Sequence, residues 1–86
     1  MPWRLIISPR ANRDMRSLSQ RDRQAVGHSL DRFVSDFGLA DVKKLGGRTS
    51  EWRLRVGRWR VILELDNQAG LINVTRVLPR GRAYRG

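Results

Sequence analysis

Three arginines, Arg53, Arg55 and Arg60, stand on either side of a Gly57-Arg58 pair in a stretch where apolar and polar residues alternate. Before the pair, Trp52, Leu54 and Val56 alternate with Arg53 and Arg55; after it, Trp59, Val61, Leu63 and Leu65 alternate with Arg60, Ile62 and Glu64. A period of two marks strands, and glycine as the first of two turn residues suits a type II′ hairpin. Folded at that turn, Val56 faces Trp59, Arg55 faces Arg60, Leu54 faces Val61 and Trp52 faces Leu63. The six apolar side chains then share one face, with Trp52 and Trp59 as core residues, and Arg53, Arg55 and Arg60 share the other. Two like charges directly opposite each other destabilise a sheet by up to about 1 kcal/mol. An anion between the two guanidiniums relieves that repulsion, and their forked donors match the oxygens of a phosphate. The simpler reading of the same residues is a set of solvated arginines that splay apart.

A second cluster follows near the end: Arg80, Arg82, Tyr84 and Arg85. Tyr84 is the sole tyrosine of the chain. Beside arginines it can stack on a base or move a proton near a phosphate; as a tail aromatic it can equally tuck against the domain.

The whole chain is strongly basic. Its 86 residues carry 18 lysines and arginines against 8 acids, a net charge of +10, and sixteen of the bases are arginine. Residues 43–86 hold eleven bases and three acids, so most of the excess lies in the second half. Such a field speeds encounter with a polyanion and makes binding salt-sensitive. There is no cysteine, which excludes disulfides, thiolate zinc sites and a cysteine nucleophile. No apolar run approaches the roughly 20 residues of a membrane span, and Met1-Pro2-Trp3-Arg4-Leu5-Ile6-Ile7 lacks the order of a signal peptide. The expectation is a soluble, cytoplasmic chain forming one domain over residues 1–86.

The elements that must hold these residues are legible in outline. Residues 3–7 read as a short strand, with Trp3, Leu5 and Ile7 alternating with Arg4 and Ile6. Ser8-Pro9 is a helix start, with serine as N-cap and proline at the first helical position, and Ala11, Met15 and Leu18 follow at helical spacing. That helix covers about residues 9–17. Ser19 caps a second helix, with Asp22 in capping-box position. Its stripe is Val26, Leu30, Phe33, Val34 and Phe37, and Gly38 ends it. His28 lies opposite the stripe and reads as solvated. Lys43 to Ser50 reads as a polar loop containing Gly46-Gly47. After the hairpin, residues 66–70 form a turn and Leu71 to Leu78 a further strand, with broken alternation that predicts a bulge near Thr75-Arg76. The order β-α-α-β-β-β gives an α+β domain: an antiparallel sheet with a helical hairpin on one face.

Three segments resemble the RelE/ParE superfamily of toxins. They are Val42-Lys43-Lys44-Leu45-Gly46-Gly47, the run from Trp52 through Arg53, Arg55, Gly57, Trp59 and Arg60 to Ile62, and the run from Val74 through Arg80 and Tyr84 to Arg85. With the helical hairpin before them, the resemblance spans nearly the whole chain. It implies a toxin paired with a cognate antitoxin. The RelE branch of the superfamily cleaves mRNA in the ribosomal A site, and the ParE branch poisons DNA gyrase. RelE-type enzymes use basic residues on the first strand of the meander, matched by Arg53 and Arg55, an arginine on the next strand, matched by Arg60, and a later arginine and tyrosine, matched by Arg80 and Tyr84. Both first-strand bases are arginine here, where lysine occurs in well-known members. Lys43, Lys44, Arg58, Arg82 and Arg85 are further candidates for contact with RNA. The expectation is a ribosome-dependent mRNA endonuclease acting on ribosome-bound mRNA. The alternatives are a gyrase inhibitor and an inactive relative that still binds its antitoxin.

Such a nuclease requires no metal or cofactor if the 2′-hydroxyl of the RNA attacks the adjacent phosphate. Arg55, Arg60 and Arg80 can stabilise the phosphate charge. Arginine is a poor proton acceptor, and no histidine lies on that face; Tyr84 is taken as the side chain able to act as base. The ribosome would supply the orientation of the RNA.

Overall fold

The structure, a computed structural model, describes residues 3–35, 42–44, 51–66 and 68–79. Its elements are β1 (Arg4–Ile7), α1 (Pro9–Arg16), α2 (Gln20–Ser35), β2 (Val42–Lys44), β3 (Glu51–Val56), β4 (Trp59–Asp66) and β5 (Leu71–Pro79). The sheet runs β1-β5-β4-β3-β2. β2, β3, β4 and β5 pair antiparallel, whereas β1 joins β5 in parallel, with Arg4 beside Leu71 and Ile7 beside Val74. The α+β architecture is as expected, but the sheet is mixed. Lys43 and Lys44 stand in a short strand rather than at the start of a loop, because β3 offers Val42–Lys44 a ready ladder.

Ser8 turns the chain from β1 into α1. Its extended backbone and hydroxyl cap the helix, accepting from the Ala11 N–H at 3.1 Å, with Pro9 following. The same hydroxyl donates to the Thr75 carbonyl at 3.2 Å, and the Ser8 N–H donates to the Val74 carbonyl at 2.9 Å. One serine therefore starts the helix and fastens it to β5. Arg23 bonds back to the Met15 and Leu18 carbonyls and ties the end of α1 to α2.

Ser19 caps α2 through the Asp22 N–H at 3.1 Å. Val26, Leu30 and Phe33 are buried from this helix, as the stripe requires; Phe37 and Gly38 lie outside the described residues. Val26, Leu30 and Phe33 pack with Ala11 and Leu18 against Leu54, Val56, Val61, Leu63, Ile72, Val74 and Val77 of the sheet. Trp52 and Trp59 are half-buried against this core. His28 is exposed.

The β3–β4 hairpin has the register read from the sequence, including Arg55 opposite Arg60. Gly57 has φ +58°, and no non-glycine residue has positive φ among the described residues. Arg58 therefore has negative φ, as the second residue of a type II′ turn does. The bulge falls at Thr75: Ile62 pairs with Arg76, and Leu63 already pairs with Val74. The skipped residue lets both Val74 and Val77 reach the core. At the next turn, the Asp66 carboxylate accepts from the Gln68 and Ala69 amides, each at 3.1 Å.

Past Val74, β5 loses its β1 neighbour, and α1 takes over its edge. The Asp14 carboxylate accepts from the Val77 N–H at 2.9 Å and from Arg76 Nε and Nη2 at 2.8 and 3.3 Å. Partial burial pushes this carboxyl up. The hydrogen bonds from Arg76 and Val77, with the charges of Arg76 and Arg10, outweigh that and hold it below the ordinary range. Asp14→Asn should lower stability near neutral pH by about 1–3 kcal/mol. A depressed carboxyl stabilises the fold above its unfolded pKa of about 3.9, and this is lost as pH falls through the folded value. The gap between wild type and variant in urea midpoint should therefore be full at pH 7 and close in acid below about pH 4.

Candidate functional site

Alternation along β3 and β4 places Arg53, Arg55 and Arg60 on the face of the sheet away from the helices, as expected. Their environments differ from the alternative of three solvated arginines. Arg55 is exposed, but Arg53 is only 6% and Arg60 only 3% accessible. A guanidinium leaves water only where charge and hydrogen bonds are compensated. For Arg60 part of that compensation comes from the hairpin itself: Nη1 donates to the Trp59 carbonyl at 3.0 Å and the Gly57 carbonyl at 3.2 Å. The tight turn thus points two backbone oxygens at Arg60 Nη1, while Arg55 across the ladder is exposed.

The neighbouring strands extend this arrangement. In β2, Lys43 is the register partner of Arg53, and Lys44 that of Trp52. In β5, Leu78 pairs with Arg60 and Pro79 with Trp59, so the last described residues of β5 lie beside the hairpin that carries Arg60. Arg80, Arg82, Tyr84 and Arg85 lie outside the described residues.

Arg58 does not join the arginine face. It is exposed in the turn, its guanidinium 5.7 Å from the Trp59 ring centre and 3.8 Å from the Asp22 carboxylate. Both partners lie on the helix side of the sheet. Asp22 also accepts from Trp59 Nε1 at 3.0 Å. The sequence assigns this aspartate to a capping box, but its carboxylate serves the indole instead and fastens α2 to the hairpin. Asp14 is the other carboxylate with a role invisible in its local sequence, since Arg76 is 62 residues away. Among the described residues, no group of three or more His, Cys, Asp or Glu could hold a metal ion. None of their helices is long and apolar enough to cross a membrane.

The architecture matches known toxins. The RelE–RelB complex of Pyrococcus horikoshii OT3 contains a chain that superposes with a TM-score of 0.81 at 25% identity, covering 95% of this chain and 99% of that one. A chain of the RelBE2 toxin–antitoxin complex of Mycobacterium tuberculosis gives 0.79 at 20% identity, over 93% of this chain and 100% of that one. The DinJ–YafQ toxin–antitoxin complex of E. coli gives 0.76 at 15% identity, with both chains covered completely. The latter two likenesses bear on the fold alone. No curated protein matches in sequence. The sequence pattern described as ParE toxin of type II toxin–antitoxin system, parDE, matches residues 5–84. With that match over most of its length and a RelE-like fold beneath it, the chain belongs to the ParE toxin family of type II toxin–antitoxin systems, within the RelE/ParE superfamily.

Proposed function

We propose that this toxin is a metal-independent, ribosome-dependent endoribonuclease that cuts mRNA in the A site and stops translation in the cytoplasm. The observation that carries the reading is the arginine pair across the β3–β4 ladder: Arg60 held in place by the turn, Arg55 exposed opposite it. A fixed donor facing a developing phosphate charge stabilises a transition state with little reorganisation. The 2′-oxygen of the mRNA attacks the adjacent phosphorus, and its proton passes to a base. The bond from phosphorus to the 5′-oxygen breaks, and that oxygen takes a proton. The products are a 2′,3′-cyclic phosphate and a 5′-hydroxyl. Arg53, Arg55, Arg60 and Arg80 are assigned to the phosphate, Lys43, Lys44, Arg82 and Arg85 to the RNA backbone, and Tyr84 to proton transfer or stacking.

Primer extension on a translating mRNA with purified protein is the test, and new 5′ ends at A-site codons are the expected result. An unchanged pattern overturns the reading. Arg80→Ala should lower cleavage by about 10²-fold. Tyr84→Phe separates the tyrosine's two roles: near-wild-type cutting means stacking, and a large loss means its hydroxyl carries a proton.

The match to the ParE toxin description favours a second reading, the gyrase binding without chemistry that the ParE-branch resemblance implies. Inhibited supercoiling with intact mRNA would select it. Under either reading the partner in the resting cell is a cognate antitoxin, as in the toxin–antitoxin complexes that share the fold. An acidic or amphipathic segment covering the basic sheet or the helices suits the charge, and co-expression with such a partner should raise soluble yield.

A further inference from the structure

A carboxylate on the helix side of the sheet is linked to the Arg60 guanidinium on the opposite face. Asp22 stands in the first turn of α2, and its Oδ2 accepts from Trp59 Nε1 at 3.0 Å, 37 residues along the chain. The same oxygen lies 3.8 Å from Arg58 Nη2, and the Arg58 guanidinium lies 5.7 Å from the Trp59 ring centre. One carboxylate therefore meets two consecutive side chains at the β3–β4 turn. The contact with Arg58 is exposed and weak; the indole bond is partly buried and carries the tie.

The backbone of the same turn orients Arg60. Nη1 donates to the Trp59 carbonyl at 3.0 Å and to the Gly57 carbonyl at 3.2 Å. A tryptophan side chain has only two torsions, so an indole held at its far end restricts the backbone that carries it. Gly57 has φ +58° and no side chain to pack, and among the described residues no atom lies within 4 Å of where its Cβ would stand. The turn projects from the sheet, and its grip on α2 comes through Arg58 and Trp59.

An acid in the first turn of a helix has a simpler use, since it complements the helix dipole. That use does not require the contact with Trp59, and the cap of α2 does not use the carboxylate: it runs from the Asp22 N–H to Ser19 Oγ. We infer that Asp22 is a positioning residue for the arginine face: acting through Trp59, it holds the turn carbonyls that orient Arg60. Its bearing on cleavage rests on the proposed function. A misplacement of about 1 Å can cost about 10²-fold in rate, so slackening the turn reaches the reaction without any contact between Asp22 and the RNA.

The test compares three variants of the full-length protein. Asp22→Ala removes the acceptor. Asp22→Asn loses the charge but keeps an oxygen for the indole, and Trp59→Phe keeps a ring but loses the donor. Two quantities are measured below the melting temperature of every variant. The first is single-turnover cleavage of mRNA on programmed ribosomes at saturating toxin. Asp22→Ala and Trp59→Phe should each cut about tenfold more slowly, with the half-saturating toxin concentration unchanged. Their effects should not add in the double variant, and Asp22→Asn should recover most of the rate. The second is exchange of the Arg60 Nε proton with water, followed by NMR, which should be about tenfold faster in Asp22→Ala than in wild type. Unchanged exchange, or a normal saturated rate in Asp22→Ala, overturns the inference. So does an Asp22→Asn protein that behaves like Asp22→Ala, which reduces the carboxylate to its effect on the helix dipole. If wild type cuts no mRNA while Arg60 exchange still responds, the nuclease falls and the tie stands. Normal cutting by wild type with an unresponsive Arg60 does the reverse.

Discussion

Arg60→Ala should lower mRNA cleavage by about 10²-fold or more, the scale of losing one preorganised donor to a transition state. Among the assigned arginines it should have the largest effect, because its fork is fixed before the RNA arrives. At 3% accessibility, with bonds to Gly57 and Trp59, it has few other positions to adopt. Arg55 is exposed, and its loss should cost less. Removing Arg60 also frees two turn carbonyls, so the variant needs a thermal melt beside the activity measurement. Arg60→Lys retains the charge without the fork and should recover only part of the rate. If Arg60→Ala folds and cuts as well as wild type, the assignment of this face to catalysis is wrong.

Phe33→Ala should lower stability by about 3–5 kcal/mol. Phe33 is 1% accessible and is among the largest fully buried side chains of the core. It anchors the distal half of α2 over the sheet, where Leu30 is its buried neighbour one turn earlier. A small domain has a total stability of only about 5–15 kcal/mol, so one such cavity removes much of it. The melting temperature should fall by about 12 °C or more, at roughly 4–8 °C for each kcal/mol. His28→Ala, on the exposed side of the same helix, should change stability by less than about 0.5 kcal/mol. Similar melting temperatures for the two variants would contradict this assignment of the core.

The contrast between Phe33 and His28 is legible in the sequence, because a helical stripe is a local pattern. The same holds for the hairpin, where a period of two and one glycine turn determine every pair from Trp52–Leu63 to Val56–Trp59. The skipped beat before Val77 marks the bulge for the same reason. What escapes is whatever depends on distant partners. Three residues of β2 carry no period of their own and become a strand only through the ladder with β3. The parallel union of β1 with β5 has no local signature. Alternation assigns Arg53 and Arg60 to a face but cannot show that they are buried there. Asp14 lies within α1 and Asp22 in the first turn of α2, while their carboxylates serve Arg76 and Trp59, 62 and 37 residues away.

That union of the first strand with the last has a consequence for how the protein is made. Arg4 pairs with Leu71, and Ser8 bonds to Thr75, 67 positions further along. Contacts of such sequence separation must close nearly the entire chain before they return any free energy, which slows folding. During synthesis β1 leaves the ribosome well before β5 and waits for it. β5 then completes the sheet, and its end brings the chain beside Arg60. The sheet of a nascent toxin is therefore incomplete until β5 is free. The β3–β4 hairpin that carries Arg53, Arg55 and Arg60 closes locally, but the strand on which β1 and α1 dock comes only after it.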